Sequence, residues 1–262
     1  MSTTSREEPF LEATGQAGIA FFTFVGECGL ILRDAVVRIG RRPFEWKETI
    51  NQMAFIGVAS VPIVALTGFF SGAVISLYLT SFLAQYRATT FVGATVGLTV
   101  TREIGPVIAG IMVAARCGSA MAAQIGTMAV TEQIDALKML SVHPTNYLVL
   151  PRIIAGVLML PVLALVSIWS GIVGGLLVAM SENLTVGAFM QSLVRYVSPA
   201  DVLHGCLKTP AFGLIISLVA CQQGLRTTDG AVGVGRATTN TVVISMVLVY
   251  IANFLLAQLM YR

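Results

Sequence analysis

The sequence predicts an all-α integral membrane protein with an N-terminal interfacial helix, five transmembrane helices and a short cytosolic helix between two of them. The first observation is composition: of 262 residues, 56% are apolar and only 11% are charged, with a mean hydropathy of +0.84. Soluble domains carry about 25% charged residues, so this chain cannot cover a water-facing surface of matching size. The second observation is that its long charge-free segments match the thickness of a bilayer. Together they exclude a soluble enzyme, a disordered protein and, with a net charge of only +3, a nucleic-acid-binding protein.

Residues 1–48 are predicted to form a cytosolic or interfacial amphipathic helix rather than a signal peptide, because charges occur throughout them and no cleavage site is present. Apolar residues recur there at roughly helical spacing and precede a basic run, a pattern typical of a helix lying near anionic headgroups. Simple packing of this helix against the bundle is the alternative. The apolar residues are Phe10, Leu11, Phe21, Phe22, Phe24, Leu30, Ile31 and Leu32, and the basic run is Arg38, Arg41 and Arg42.

Four charge-free windows predict four transmembrane helices, because a helix needs about 20 apolar residues to cross the hydrocarbon. The windows contain 38 residues (49–86), 29 residues (153–181), 17 residues (209–225) and 25 residues (237–261). The 17-residue window is short, but its N-terminal extension through Lys208 gives a full crossing.

The segment 89–128 is apolar but contains Arg102, Glu103 and Arg116, so it predicts either two surface helices or a further span. With five spans and a cytosolic N-terminus, ten Lys and Arg residues lie on the cytosolic side and three on the outer side. Without this span, Arg226 and Arg236 would move outside, against the positive-inside rule. We therefore predict a five-span membrane domain over residues 49–262. The predicted spans cover residues 51–84, 89–127, 146–181, 202–225 and 237–260.

Two opposite charges stand side by side within the second predicted span, in the segment Thr101–Pro106. Neighbouring residues of a helix point about 100° apart, so Arg102 and Glu103 are not expected to face one partner. Ionisable groups at membrane depth cost at least roughly 2.5–3.5 kcal/mol each and usually pair or line a cavity. We predict that Glu103 pairs with Lys208 while Arg102 faces a water-accessible cavity. A purely structural role for both charges is the alternative.

Residues 129–141 are predicted to form a short amphipathic helix on the cytosolic side. One stripe is polar and the opposite one is apolar, at the spacing of an α-helix. Thr131 is expected to cap its N-terminus. Such a helix between two spans either lies on the membrane or docks into another protein, and the pattern alone leaves both open. The polar stripe is Glu132, Asp135 and Lys138, and the apolar stripe is Val130, Ile134 and Leu137.

The sequence gives no sign of a cofactor site in this chain. Four scattered cysteines form no CxxC pair, and two histidines are too few for a metal cluster. The chain has no GxxxxGK[ST] segment, so it is not expected to bind ATP through a P-loop. Ser119 lacks a GxSxG context, and Asp135 and Asp229 fall in predicted loops, which argues against an intramembrane protease. We expect a non-catalytic membrane subunit.

Three segments together closely resemble the MlaE-type permeases, the membrane subunits of ABC lipid transporters that work with MCE-domain proteins. They are TREIGPVIAGIMVAARCGSAMAAQIGTMAVTEQIDALKML (101–140), HPTNYLVLPRIIAGVLMLP (143–161) and LKTPAFGLIISLVACQQGL (207–225). The resemblance runs from about Phe10 to Arg262. It implies a permease that moves phospholipid or a related lipid between the bacterial inner membrane and the outer envelope, with its N-terminus in the cytosol.

The resemblance also implies partners: a second copy of this chain, a cytosolic ABC ATPase dimer that binds ATP and Mg, a hexamer of MCE-domain proteins and the lipid itself. The EQIDAL segment of this chain (132–137) matches the family's coupling helix. The resemblance therefore implies that the short helix docks into the ATPase rather than lying on the membrane. The expected coupling residues are Thr131, Glu132, Gln133, Ile134, Asp135, Ala136 and Leu137. The lipid cavity, between the two copies, is expected to involve Ile75, Phe82, Leu83 and Tyr86, with Arg102 beside it.

An ion-coupled secondary transporter of an amphiphilic substrate is the alternative function. It would also explain ionisable residues inside the membrane, here Arg102, Glu103 and Lys208. Such transporters are usually built from two similar halves, and five spans cannot be halved evenly. The sequence therefore favours the permease.

Overall fold

Five long apolar helices dominate the structure of the chain, which is a computed structural model. The structure describes residues 8–39 and 45–260, except for the side chains of residues 8–17 and of Phe21. Within these residues all regular structure is helical, and the five helices are long and apolar enough to cross a membrane. The predicted all-α class with five spans is therefore confirmed. The predicted interfacial side chains of Phe10, Leu11, Phe21, Arg41 and Arg42 lie outside the described residues. Spans 1 to 5 comprise Trp46–Gln85, Thr89–Val130, Thr145–Ser181, Pro199–Leu225 and Gly230–Met260.

The N-terminal helix α1 (Glu8–Arg38) packs against one end of the bundle. Its Glu27 accepts hydrogen bonds from Gln222 Nε2 at 2.8 Å and is ion-paired with Arg226 Nε at 3.3 Å. Burial tends to raise the pKa of the Asp34 carboxyl, but a hydrogen bond from Thr145 and the nearby cations outweigh it, so this pKa lies below its ordinary value. Other apolar side chains of α1 remain exposed, which leaves an interfacial position open. They include Ile19, Phe22, Val25, Leu30 and Val36.

Span 1 is broken into α2 (Trp46–Ile56) and α3 (Val61–Gln85) by a short 3-10 turn. A carbonyl freed at such a break is costly inside a membrane unless another group satisfies it. Arg116 of span 2 does so, donating from Nη1 to the Phe55 carbonyl at 3.1 Å and to Ser60 Oγ at 2.9 Å. Its guanidinium also lies 5.2 Å from the centre of the Phe55 ring.

Span 2 is helical throughout but contains two π-helical turns. It comprises α4 (Val92–Thr99), the turn Val100–Ile104, α5 (Gly105–Val113), the turn Ala114–Gly118 and α6 (Ser119–Val130). The turns widen the helix where Arg102, Glu103 and Arg116 stand. Span 2 contacts all four other spans and has 56% of its most apolar window buried, more than any other span described. It is the central helix of the bundle.

The remaining helices complete the bundle around span 2. Two of them are short and follow a span directly: one lies at the end of the bundle reached by α6, and the other at the opposite end. Spans 3, 4 and 5 consist mainly of one long helix each. These helices are α7 (Gln133–Met139), α8 (Leu150–Ser181), α9 (Val186–Tyr196), α10 (Pro199–Leu225) and α11 (Gly230–Met260).

Spans 1 and 3 approach backbone to backbone, through glycines of α3 and α8. A Cβ atom added to Gly72 would lie 2.0 Å from the carbonyl oxygen of Gly171, and one added to Gly174 would lie 2.1 Å from that of Phe69. One turn further along α3, Ser76 Oγ donates to the Gly175 carbonyl at 2.7 Å. Small residues permit this approach, which in a membrane supplies packing energy that lipid cannot replace.

We expect Gly72→Val to separate α3 from α8, because the new side chain would meet a backbone carbonyl that cannot move aside. Overpacking typically costs about 1–3 kcal/mol, and a rigid backbone neighbour favours the upper end. The measurement is the melting temperature and the monodisperse fraction of the purified protein in detergent. Gly235→Val is the control, because no atom lies within 4 Å of a Cβ built there. Equal behaviour of the two variants would contradict the proposed contact.

Candidate functional site

A buried cluster of charged and polar side chains joins spans 2, 4 and 5. Lys208 is fully buried, at 0% exposed, and its Nζ donates to Glu103 Oε1 at 2.7 Å, to the carbonyl of Arg102 at 3.0 Å and to Asn253 Oδ1 at 3.4 Å. Asn253 Nδ2 donates to Glu103 Oε2 at 2.7 Å. The predicted pairing of Glu103 with Lys208 is thus present in the structure. Sequence reasoning missed Asn253, an amide within an apolar stretch of the last span.

Arg102 pairs with Asp201 rather than simply facing a cavity. Its Nη2 and Nε lie 2.6 Å and 2.8 Å from Asp201 Oδ1, although 39% of the arginine side chain remains exposed. Asp201 Oδ2 also accepts from the backbone N–H of Ser198 at 2.8 Å and from its hydroxyl at 2.9 Å. The carboxylate therefore caps α10 and neutralises the arginine at once.

Arg102 and Glu103 pair with different residues, as expected, but the two partners lie on the same helix. Both pair with α10, at Asp201 and Lys208, two helical turns apart. The 100° rule fixes only the direction of the Cα–Cβ bonds, and from there a long arginine side chain extends along the helix surface to its acceptor. The predicted fourth span began at residue 202 and so excluded Asp201. The Ser-Pro-x-Asp pattern of a capping box would have placed it in the first turn of that helix.

The residues predicted to line a lipid cavity lie on α3, and they do not all share one face. Ile75 borders a groove of about 380 Å³ between α3 and span 2. Phe82 and Tyr86 are 54% and 68% exposed, with ring centroids 5.1 Å apart. Leu83 packs partly buried against the cluster around Phe189. Contact of these four residues with lipid stays a prediction. The groove is lined by Phe70, Ser71, Val74, Ile75, Ile104 and Ile108.

The short helix α7 begins later than the sequence predicts. Span 2 continues to Val130, and the hydroxyl of Thr131 donates back to the Thr127 carbonyl at 2.8 Å. Thr131 therefore ends α6 and does not cap α7. Glu132 follows with a left-handed backbone (φ 58°), which turns the chain sharply before α7 starts at Gln133. Helix α7 is thus attached to span 2 by a two-residue turn.

Helix α7 presents most of its surface to solvent. Asp135 and Lys138 form an exposed ion pair at 2.7 Å, and Glu132 is exposed beside them. Ile134, at 7% exposed, anchors the helix on the bundle, where Leu137 also packs. The predicted polar stripe is exposed and Ile134 and Leu137 of the predicted apolar stripe face the bundle, but Val130 belongs to α6 rather than to α7. At the end of the helix, Met139 and Leu140 are 89% and 73% exposed, an apolar pair that the bundle leaves uncovered.

The comparisons with known proteins cover nearly the whole chain. The family described as Permease MlaE matches residues 49–259. A probable ABC transporter permease protein of Rickettsia felis is 42% identical over 95% of this chain and 97% of its own length. The intermembrane phospholipid transport system permease protein MlaE of Haemophilus influenzae is 34% identical over 96% of this chain and 97% of its own length.

A plant relative extends the comparison. The protein trigalactosyldiacylglycerol 1, chloroplastic, of Arabidopsis thaliana is 35% identical over 89% of this chain, which spans 67% of that relative's length. Residues 101–140, one of the segments that carry the resemblance in the sequence, form most of span 2 and all of α7. They contribute Arg102 and Glu103 to the charged and polar cluster and provide the exposed helix described above. The match over residues 49–259, together with the identity to full-length relatives, shows that this chain belongs to the MlaE permease family.

Proposed function

We propose that this chain is the membrane subunit of an ABC transporter that moves phospholipid or a related lipid between the inner membrane and the outer envelope. The proposal includes a second copy of the chain, a cytosolic ABC ATPase dimer and an outer hexamer of MCE-domain proteins. The name of the Haemophilus relative, an intermembrane phospholipid transport permease, supports the substrate class. ATP and Mg would be bound by the ATPase and not by this chain.

The observation that carries the proposal is the exposed helix α7 at the end of span 2. A motor that acts on a membrane subunit needs a rigid element outside the membrane. Apolar side chains on one side of α7 pack against the bundle, and the opposite side is charged and exposed. Because only a two-residue turn separates α7 from α6, a push on α7 acts directly on span 2. Span 2 in turn contacts every other span, so the motion would reach the groove beside Ile75.

Charge placement supports a cytosolic position for α7 and for the N-terminal helix. Most of the described cationic residues at the membrane boundaries lie at the α7 end, as the positive-inside rule requires of a cytosolic side. The opposite end carries Arg87 and Arg195. The cations at the α7 end are Arg33, Arg38, Lys47, Lys138, Arg152, Arg226 and Arg236.

Span 5 is the span that a second copy would cover. Only 11% of its most apolar window is buried by the rest of the chain, against 28–56% in the other spans. The side chains of an apolar row along α11 are therefore 53–66% exposed, and tight packing in membranes is driven by such complementary surfaces. The row consists of Val243, Val247, Tyr250, Phe254 and Leu255.

The intramembrane charges favour a structural lock over ion coupling. A coupling residue must exchange protons or ions with water, whereas Lys208 is fully buried and is held by Glu103 and Asn253. The pair is neutral as a whole and links three spans. We infer that it fixes these spans to one another while the lipid moves elsewhere.

Reversing the charge of α7 tests the coupling role. In Glu132→Lys combined with Asp135→Lys, the acidic face would repel a partner that it now attracts, and one Lys138 ion pair would be lost. We expect the ATPase that co-purifies with the native complex to fall at least about tenfold in amount or activity per permease, since like charges at an interface cost several kcal/mol. The measurement is ATP hydrolysis per mole of permease.

The control also introduces two lysines, but at the opposite end of the bundle. Glu182→Lys combined with Gln191→Lys alters exposed residues near α9 and should leave ATPase assembly unchanged. If the α7 variant binds and stimulates the ATPase as the wild type does, α7 is not the coupling element.

A double-mutant cycle separates the structural lock from ion coupling. Glu103→Gln leaves the Lys208 charge buried without its carboxylate and is expected to cost about 3–5 kcal/mol of stability. Lys208→Met alone should cost less, because the Glu103 side chain is 37% exposed. The double variant should recover most of the loss and keep ATP-driven lipid transfer, measured in proteoliposomes. A stable double variant without transport would instead favour ion coupling.

A further inference from the structure

Arg152 is a buried cation that no carboxylate neutralises among the residues that the structure describes, and it differs from Arg116, which also lacks one, in having an unpartnered nitrogen. It stands in the first turn of α8 and is only 4% exposed. Its Nη1 donates to the Leu148 carbonyl at 2.7 Å and its Nη2 to Gln124 Oε1 at 3.1 Å. Its Nε is buried and has no hydrogen-bond partner. By contrast, Arg102 and Lys208 each contact a carboxylate at 2.6–2.7 Å.

This arginine lines a cavity of about 490 Å³ beside the start of α7. The cavity lies between the last turns of α6, the first turn of α8 and the first residue of α7. Amide and hydroxyl groups border it together with the guanidinium, and the rest of its wall is apolar. The lining residues are Ala123, Gln124, Thr127, Met128, Gln133 and Arg152.

A buried guanidinium held only by a carbonyl and an amide is incompletely stabilised. Arginine stays charged at any physiological pH, so it cannot relieve the cost by losing a proton. Uncharged acceptors supply hydrogen bonds but no opposite charge. The group that completes such a site is an oxyanion, and the planar fork of a guanidinium matches phosphate oxygens in particular.

We propose that this cavity binds a phosphate-bearing anion at the α7 end of the bundle. Arg152 supplies the charge, while the amides of Gln124 and Gln133 supply further donors. The ligand is either the headgroup of an anionic phospholipid in the adjacent leaflet or a soluble phosphate ester. The site is separate from the groove at Ile75, with which it shares no lining residue. Because Gln133 is the first residue of α7, an occupied site would fix the orientation of that helix.

Two variants test the site in the purified full-length chain. Arg152→Gln removes the charge. Thr127→Leu fills the mouth of the cavity and leaves both contacts of Arg152 in place, since the Thr127 hydroxyl bonds only to the Ala123 carbonyl. Native mass spectrometry would count phosphatidylglycerol retained per chain from nanodiscs, against a phosphate-free galactolipid of matched acyl chains. Arg195→Gln, on exposed α9, is the control.

We expect the wild type and Arg195→Gln to retain one more phosphatidylglycerol per chain than galactolipid. Both cavity variants should lose that lipid, with affinity reduced roughly tenfold or more, as for a charge-assisted contact. Glycerol 3-phosphate and inorganic phosphate form the soluble arm, measured as a rise in melting temperature. A rise with either, abolished by both variants, assigns a soluble ester; an effect of phosphatidylglycerol alone assigns the lipid headgroup.

Unchanged binding of all three phosphate probes in folded Thr127→Leu overturns the proposal, whether or not Arg152→Gln folds. So does a wild type that does not distinguish phosphatidylglycerol from galactolipid and gains no stability from either soluble probe. Neither readout uses lipid transfer or ATP hydrolysis. Failure of this site would therefore leave the proposed transport function untouched, and the reverse also holds.

Discussion

The structure depends on neutralising charges where no water is available to solvate them. Lys208 is inserted between spans 2, 4 and 5 with a carboxylate, an amide and a backbone carbonyl around its ammonium group. Each of these bonds would be worth little at a wet surface, but leaving any of the groups alone in hydrocarbon would cost several kcal/mol. The three spans therefore have one relative position that satisfies all the polar groups, and this gives the bundle a fixed centre in an otherwise non-directional apolar environment.

The other spans are held by shape. Spans 1 and 3 meet at glycines, where backbone carbonyls lie too close for a Cβ atom. Lipid chains are as apolar as the helices, so burial alone gives no preference for protein over lipid, and close packing supplies it instead. The break in span 1 would weaken that packing if its carbonyls were left free. Arg116 reaches across from span 2 to bind the Phe55 carbonyl, so a charge again secures the geometry of neighbouring backbone.

The sequence predicts the class, the number of spans and their approximate limits because hydrocarbon thickness dictates the length of an apolar helix. It also predicts the pairing of Glu103 with Lys208, since few ionisable residues lie at that depth. The sequence-based prediction fails for several other polar contacts. Asp201 lies in the first turn of a span and was left outside it, and Asn253 is an amide in an apolar stretch with no pattern that marks it. Thr131 was expected to cap α7, but an i−4 hydrogen bond makes it the end of α6 instead.

A division among the cations follows from these contacts. Lys208 and Arg102 have carboxylates and link span 2 to span 4, so their charges are fully used in holding the bundle. Arg116 has a carbonyl, a hydroxyl and an aromatic ring, which together occupy its guanidinium without an anion. Arg152 has no carboxylate either, and among these four it is the one with a buried nitrogen, Nε, that lacks a hydrogen-bond partner in the described part of the chain; it also borders an open cavity. An unpaired buried charge lowers stability. A ligand that supplies the missing anion would offset this cost at Arg152. That cavity borders Gln133, the first residue of α7, which is the helix that would receive force from a motor. A bound ligand would therefore act on α7 before it acted on any other element.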